Sequence, residues 1–391
     1  MNLALKITAA LVCAVALFFG GVYLGGHPDD LPSGVRKTFV NESDATKAEL
    51  IDEIEERFYK KTDRDELEKA SLKGIVRSLG DRFSHYLTPD ESKLLEQTTT
   101  GQFSGVGMSI DEDKKGLLVV KVFNGTPAER AGIKKGDIIT KVNGASIAGK
   151  SAEVATAKIK GKPGTEVTLT VETPKKGVRT IKAKRERIKI PVVESEMKTI
   201  DGIKVGVVQL AEFSHGAHGQ VRTAVDKLLE DGAKGIVLDL RGNGGGLLRE
   251  GILVAGVFVD KGLIVSTKGR TQSERKFDAP GGAIDEDVPV VVLVDRGSAS
   301  ASEIVTGALR DRGRAKVIGT RTFGKGVFQE IAPLKNGGAL DVTVGRYYLP
   351  NGKPVSGKGI AAEVKAVDDP DTEKDEALPK ALETLRKEIS Q

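Results

Sequence analysis

One cysteine in 391 residues, Cys13, rules out an internal disulfide framework and any cysteine-cluster zinc site. Four histidines leave little for histidine-based chemistry. The excess of 60 Lys and Arg over 55 Asp and Glu gives a net charge of +5, too dilute over this length to imply nucleic acid. Internal repeats and low-complexity tracts are absent. Glycine, in contrast, is abundant: 47 residues, about 12% against a usual 7%, so tight turns and sites built from backbone are expected. With 39% hydrophobic and 29% charged residues the chain can bury real cores, and its length suggests roughly two to four folded units.

The front of the chain reads as an address. Lys6 precedes an almost uncharged apolar stretch from Ile7 to Gly26, about 20 residues and roughly 30 Å as a helix, long enough to cross a bilayer. Polar His27, Asp29 and Asp30 follow, which places the rest of the chain outside the cytoplasm. An uncleaved membrane anchor (1–26) is expected, with a cleaved signal peptide after the small-x-small Ala14-Val15-Ala16 as its rival. Cys13 suits a buried thiol better than a lipoprotein signal, because Val12 precedes it. Residues 27–42, with Pro28, Pro32 and Gly34, read as a stalk.

Between 43 and 100 two helical patterns form a hairpin: Leu50, Ile51, Ile54 and Phe58, then, after a capping box of Thr62 and Asp65, Leu67, Leu72, Ile75, Val76 and Leu79. A turn-rich Asp81 to Leu87 leads to a third helix near 90–97. From 101 to 173 short β-branched strands alternate with glycine and proline, with helices at Pro127 to Ala131 and Ala152 to Ile159. Residues 174–190 carry eight Lys or Arg and one Glu; alternation of Val178, Ile181, Ala183 and Ile188 favours a strand with a solvated basic face. From about 203 strands and helices alternate, which is α/β rhythm, and Val288 to Val294 suits a strand buried on both faces. The tail after 366 places Leu378, Ala381, Leu382 and Leu385 on one face of a docked helix.

Three motifs bear on chemistry. Gly144-Ala145-Ser146-Ile147-Ala148-Gly149-Lys150-Ser151 satisfies the phosphate-loop pattern, but the Asn143-Gly144 hairpin signal before it argues against nucleotide binding. Gly297-Ser298-Ala299-Ser300-Ala301-Ser302-Glu303 stands where a buried strand meets a helix. A serine there is exposed on a sharp turn beside free helix N–H groups, which suits a nucleophile, yet Ser300 and Glu303 also make a capping box, and the two readings stand level. Lys325, in Thr322-Phe323-Gly324-Lys325-Gly326, tips the balance. A serine needs a base, and a desolvated lysine can serve; bringing it from about 10.4 to near 7 costs roughly 4–5 kcal/mol. Finally, Gly244-Gly245-Gly246 after the strand Gly235 to Arg241 can present N–H groups to an oxyanion beside that of Ala301. His215 and His218 have metal-ligand spacing but no Glu or Cys partners in sequence, so a polar loop is favoured and no metal is expected.

Residues 101–173 resemble a PDZ domain in its circularly permuted bacterial form, through Gly105-Val106-Gly107-Met108, the run Gly125-Thr126-Pro127-Ala128 to Gly136-Asp137-Ile138-Ile139, and Val142-Asn143-Gly144. The glycines let N–H groups converge as a carboxylate nest, and the next strand edge can accept a peptide by β-addition. Together with Asp81 to Leu87, the Ser300, Lys325 and Gly244–Gly246 motifs resemble the carboxyl-terminal processing peptidases, or tail-specific proteases, over about residues 45–390. The resemblance implies a crotonase/ClpP-like α/β core (174–365) with an inserted PDZ domain, an N-terminal helical region and a C-terminal helix (366–391). It implies Ser300 as nucleophile, Lys325 as general base, Gln329 as the residue orienting the lysine, and Ala301 with Gly245 or Gly246 as the oxyanion hole. Gly105, Val106, Gly107 and Met108 would bind the free carboxyl terminus of a protein substrate, and Lys160 would link the PDZ domain to the active site. No cofactor is implied; a homodimer through the helical parts is. The alternatives are a catalytically silent PDZ scaffold and a phosphate-loop nucleotide-binding protein.

Overall fold

The computed structural model describes residues 42–368 except 175, together with 374–390. The expected anchor and nearly all of the stalk lie outside these residues. Among the described residues no helix is long and apolar enough to cross a membrane.

The chain divides into two compact units at residues 86 and 87. In the first, α1 (Glu42–Arg57) and α2 (Arg64–Arg77) form the expected hairpin. The cap of α2 is Asp63 rather than Thr62, its carboxylate accepting from Asp65 N–H at 3.0 Å. A carboxylate facing free helix N–H groups also gains from the helix dipole, which a hydroxyl does less well. Ile51 and Val76 are buried, while Leu50, Phe58, Ile75 and Leu79 are exposed. Asp81 holds the following turn through Ser84 Oγ at 2.6 Å, and β1 (His85–Leu87) follows.

The second unit opens with α3 (Pro89–Thr100), capped reciprocally by Thr88 and Glu91. After β2 (Gln102–Gly105) come β3 (Met108–Asp113), β4 (Gly116–Val122), α4 (Pro127–Arg130), β5 (Ile138–Val142), β6 (Ala145–Ser146), α5 (Ala152–Ile159), β7 (Glu166–Thr173) and β8 (Gly177–Lys184). The sheet runs β3-β4-β5-β7-β8, with β6 on β5, over a core that includes Leu117, Ile139, Ile147 and Leu169. The basic stretch read as one strand is two, β8 and the later Glu186–Lys189 that holds Ile188: on β8 Ile181 and Ala183 face inward and Lys182 and Lys184 outward, while Val178, expected inward, is exposed. The pairing of β8 with β7 carries this sheet past the expected boundary at 173 to Lys184. Asn143 and Gly144, at φ 50° and 80°, turn β5 directly into β6. Gly144–Ser151 is therefore a hairpin and helix cap, with no parallel strand feeding a phosphate loop. The short β9 (Glu186–Lys189) pairs with β2.

The remainder comprises β10 (Val193–Ile200), β11 (Ile203–Leu210), α6 (Ala217–Glu230), β12 (Ile236–Asp239), α7 (Leu248–Phe258), β13 (Leu263–Gly269), β14 (Arg275–Asp278), β15 (Val290–Val294), α8 (Ala301–Asp311), β16 (Ala315–Gly319), β17 (Val327–Pro333), β18 (Ala339–Tyr348), β19 (Val364–Lys365) and α9 (Ala377–Ile389). One sheet runs β10-β11-β12-β15-β16-β19 and is parallel from β11 to β19. Its central strands β12 and β15 are buried throughout, because α6, α7 and α8 cover one face and α9 the other. A second sheet joins β13, β14, β17 and β18, all antiparallel. The tail helix docks as expected, Ala381 and Leu385 packing on Val205, Val237 and Val291.

Arg241, just beyond β12, ties this tail down. Its guanidinium donates to Asp239 at 2.7 Å, to both oxygens of Asp375 at 2.9 and 2.8 Å, and to Asp368 at 2.8 Å. Hydrogen bonding from Arg241 outweighs desolvation and holds Asp375 below its ordinary carboxylate range. A carboxylate lowered by folding stabilises the fold fully above its unfolded value, about pH 4, and loses that contribution as the pH falls through the folded value. Asp375→Asn is therefore expected to lower the urea midpoint at pH 7, with the gap to wild type closing toward about pH 3. A gap that stays constant across that range would show that the ion pair contributes nothing.

Candidate active site

The geometry is built where β15 gives way to α8. The chain leaves the buried strand through Asp295, whose carboxylate accepts the N–H groups of Gly242, Gly297 and Ser298 at 2.9, 2.9 and 3.0 Å. Ser300 then stands at φ 56°, ψ −113°, a backbone conformation costly for a residue with a Cβ and held only where its surroundings over-determine it. Its carbonyl accepts the N–H groups of Glu303 and Ile304 at 2.9 and 3.0 Å, and the residue is half-buried. The N–H of Ala301, at the start of α8, meets no acceptor among the described residues.

Glu303 explains how that conformation is held. It is fully buried, and its carboxylate accepts five hydrogen bonds: Ser300 N–H at 3.1 Å, Lys325 N–H at 3.0 Å and the Tyr347 hydroxyl at 3.1 Å on Oε2, Thr322 Oγ1 at 2.6 Å and Gly324 N–H at 2.7 Å on Oε1. Two backbone nitrogens each about 3 Å from one oxygen lie within about 6 Å of each other, so the serine and lysine motifs are brought together. Lys325 is half-buried rather than out in solvent. Gln329, on β17, donates from Nε2 to Thr343 Oγ1 across the strand pair at 3.3 Å. Burial, and secondarily the charge of Glu303, push the Tyr347 phenol well above its ordinary value. It stays a donor at any working pH.

The glycine run closes the third side. Asn243, fully buried, donates from Nδ2 to the Leu210 carbonyl at 2.7 Å and accepts Gly245 N–H on Oδ1 at 2.9 Å, while its carbonyl takes Ala299 N–H at 3.0 Å and Ser302 Oγ at 2.8 Å. A Cβ on Gly245 would sit 2.7 Å from Ser300 Cβ and 3.0 Å from Ala301 N, so only glycine allows the loop this near the serine. The N–H of Gly245 is already engaged by Asn243; that of Gly246 meets no described acceptor. Phe213 pairs with this run, its N–H on Gly245 O at 3.0 Å and its carbonyl accepting Leu247 N–H at 2.8 Å.

The residues expected to hold a peptide also converge. Gly105, Val106, Gly107, Met108 and Lys160 line one groove of about 380 Å³. The carbonyls of Val106 and Gly107 are taken by Ala128 and Phe123 N–H at 2.7 and 3.0 Å, whereas their own N–H groups meet no described acceptor, as a nest requires. At φ 90°, Gly107 admits no side chain, since a Cβ would lie 2.4 Å from Thr126. Lys160 reaches Gln97 Oε1 at 3.2 Å and lies 5.8 Å from the centre of the Phe103 ring. His218 is a cap partner: its backbone N–H and Nδ1 meet Glu250 Oε2 at 3.0 and 2.8 Å, with Gly216 N–H on Oε1 at 2.9 Å. Burial pushes the Glu250 carboxyl up, but these bonds outweigh it and hold it below its ordinary value. No group of three metal-ligating side chains occurs among the described residues.

Sequence reading gave Glu303 a cap role only; the Ser-x-x-Glu spacing was visible, its four other donors were not. Asn243 and Tyr347 carried no signal. Removing the charge of Glu303 leaves several buried N–H groups poorly paired, so Glu303→Gln is expected to lower the unfolding free energy by about 2–4 kcal/mol and Tyr347→Phe by about 1 kcal/mol. Urea unfolding checks both; losses below about 0.5 kcal/mol for Glu303→Gln would mean that the carboxylate does not hold the loops.

The model of Peptidase family S41 matches residues 204–366 and that of the PDZ domain residues 94–172. A probable CtpA-like serine protease of Staphylococcus aureus (strain COL) is 40% identical over 335 residues, 85% of this chain and 66% of that protein. One from Staphylococcus haemolyticus is 37% identical over 310 residues, 79% of this chain and 62% of that protein. The chain thus spans just under two thirds of these curated relatives. A solved photosystem II D1 C-terminal processing protease is 32% identical, with 81% of this chain and 85% of that one covered and a TM-score of 0.46. Residues 204–366 are thus identified as belonging to peptidase family S41 and residues 94–172 as a PDZ domain.

Proposed function

We propose that the chain is a serine endopeptidase of the Ser–Lys type that holds the carboxyl terminus of a protein in its PDZ groove and cleaves near that end. The observation that carries this reading is the single Glu303 oxygen receiving both the Ser300 and the Lys325 N–H groups. Ser300 Oγ attacks the scissile carbonyl while Lys325 takes its proton, and Gln329 orients the lysine. The oxyanion is received by Ala301 N–H and by the glycine run, Gly246 being better disposed than Gly245, whose N–H is engaged. Lys325 then returns the proton to the leaving amine, and an acyl-enzyme remains. Water, deprotonated by Lys325, hydrolyses the ester and restores the serine. The names of the relatives, and of the solved processing protease, support the same class of reaction.

The tail of the substrate enters by its free carboxylate, received by the Val106 and Gly107 N–H groups with Lys160 nearby. The apolar segment Ile7–Gly26 supports a place in the cell envelope, facing outside the cytoplasm.

Purified full chain acting on an unfolded protein with a free carboxyl end tests this. Ser300→Ala and Lys325→Ala are each expected to lower kcat/KM by about 10³ or more, and amidating the substrate's end to raise KM. Cleavage undiminished in Ser300→Ala would remove the nucleophile and leave a PDZ scaffold as the surviving account.

A further inference from the structure

Glu212 has no part in the chemistry above, yet it lines the same groove as the glycine nest, from the core side, two residues after β11. It makes no ion pair or hydrogen bond with any described residue, although it is only half exposed. Burial raises its carboxyl above the ordinary range. Among the residues lining the groove, Lys160 and Glu212 are the two that carry charge, and Lys160 is committed to Gln97 and the Phe103 face. A substrate carboxylate arriving at the nest brings a second anion into the groove that Glu212 lines, against the one lining cation, Lys160. Charge balance in a partly desolvated groove then calls for a cation supplied by the ligand.

We infer that Glu212 selects among carboxyl-terminal tails, favouring those with a Lys or Arg within the last four residues. An extended peptide advances about 3.3 Å per residue, so four residues span roughly 13 Å, enough for one side chain to reach Glu212 while the terminus stays on the nest. This rests on the tail-binding reading of the groove and deepens it.

The test is a fluorescence anisotropy titration of the full chain carrying Ser300→Ala, so that no peptide is cut. The probes are labelled octapeptides with an apolar last residue, carrying Lys, Ala or Glu at each of the three preceding positions, and amidated copies of each. Lys at one position is expected to bind roughly tenfold more tightly than Ala, as a charge-assisted hydrogen bond would give, and Glu more weakly. That preference should vanish with Glu212→Gln and invert with Glu212→Lys, while the advantage of free over amidated ends persists. Carboxylate-dependent binding without any Lys preference, or a preference that survives Glu212→Gln, overturns the inference alone. If no peptide binds through its free carboxylate, the tail-binding reading falls and takes this one with it.

Discussion

A carboxylate without solvent is expensive unless every lone pair is met, and Glu303 turns that cost into a cross-link. Its five donors come from α8's own cap, from the loop at 322–325 and from Tyr347 on β18. Each is a charge-assisted bond, stronger than its neutral counterpart, and the negative charge sits in the first turn of α8, where the helix dipole favours it. Tyr347 also accepts Gly326 N–H at 3.2 Å, so the phenol joins the residue after Lys325 to the same carboxylate. One buried group thus fixes the relative position of two loops more than 20 residues apart in sequence.

The strain at Ser300 follows from the same arrangement. A positive φ at a residue with a side chain persists only where the contacts around it leave no easier alternative. Here the Ser300 N–H is held by Glu303, the Ala299 N–H by Asn243 and the Phe323 N–H by the Ser298 carbonyl at 3.0 Å. The carboxylate half of the capping pattern, Glu303 accepting the Ser300 N–H, is what ties the strained residue to the helix. Ser300 serves the helix through its backbone, its carbonyl accepting the N–H groups of Glu303 and Ile304 at 2.9 and 3.0 Å.

Legibility in the sequence tracked how local each constraint is. The hairpin at Asn143-Gly144, the bounds of α5, the start of α8 and the buried run of β15 rest on turn chemistry and continuous hydrophobicity, and they could be read directly. The antiparallel sheet of β13, β14, β17 and β18 could not: β17 and β18 carry few buried residues, with no clean alternation to mark them. Glycines at 105, 107 and 245 were visible as a pattern, but the reason for each is a neighbour far along the chain, Thr126 for Gly107 and Ser300 for Gly245. Glu212 carried no signal at all, because its meaning depends on a groove contributed by β2, β3 and α5.

The stretch from Leu210 to Phe213 shows why the groove beside Gly105–Met108 and the serine turn are one construction. Leu210 offers its carbonyl to Asn243, Glu212 lines the groove, and Phe213 is hydrogen-bonded on both sides to the glycine run. Neighbouring residues in an extended chain are about 3.3 Å apart, so the groove wall and the backbone beside Ser300 are separated by a single peptide unit. There is no slack between them, since a Cβ on Gly246 would already lie 2.5 Å from the Phe213 carbonyl. Packed contacts of this kind do not deform continuously; they keep one arrangement or change to another. The position of the groove wall and the position of the glycine run are therefore set together, and a shift in one is felt in the other.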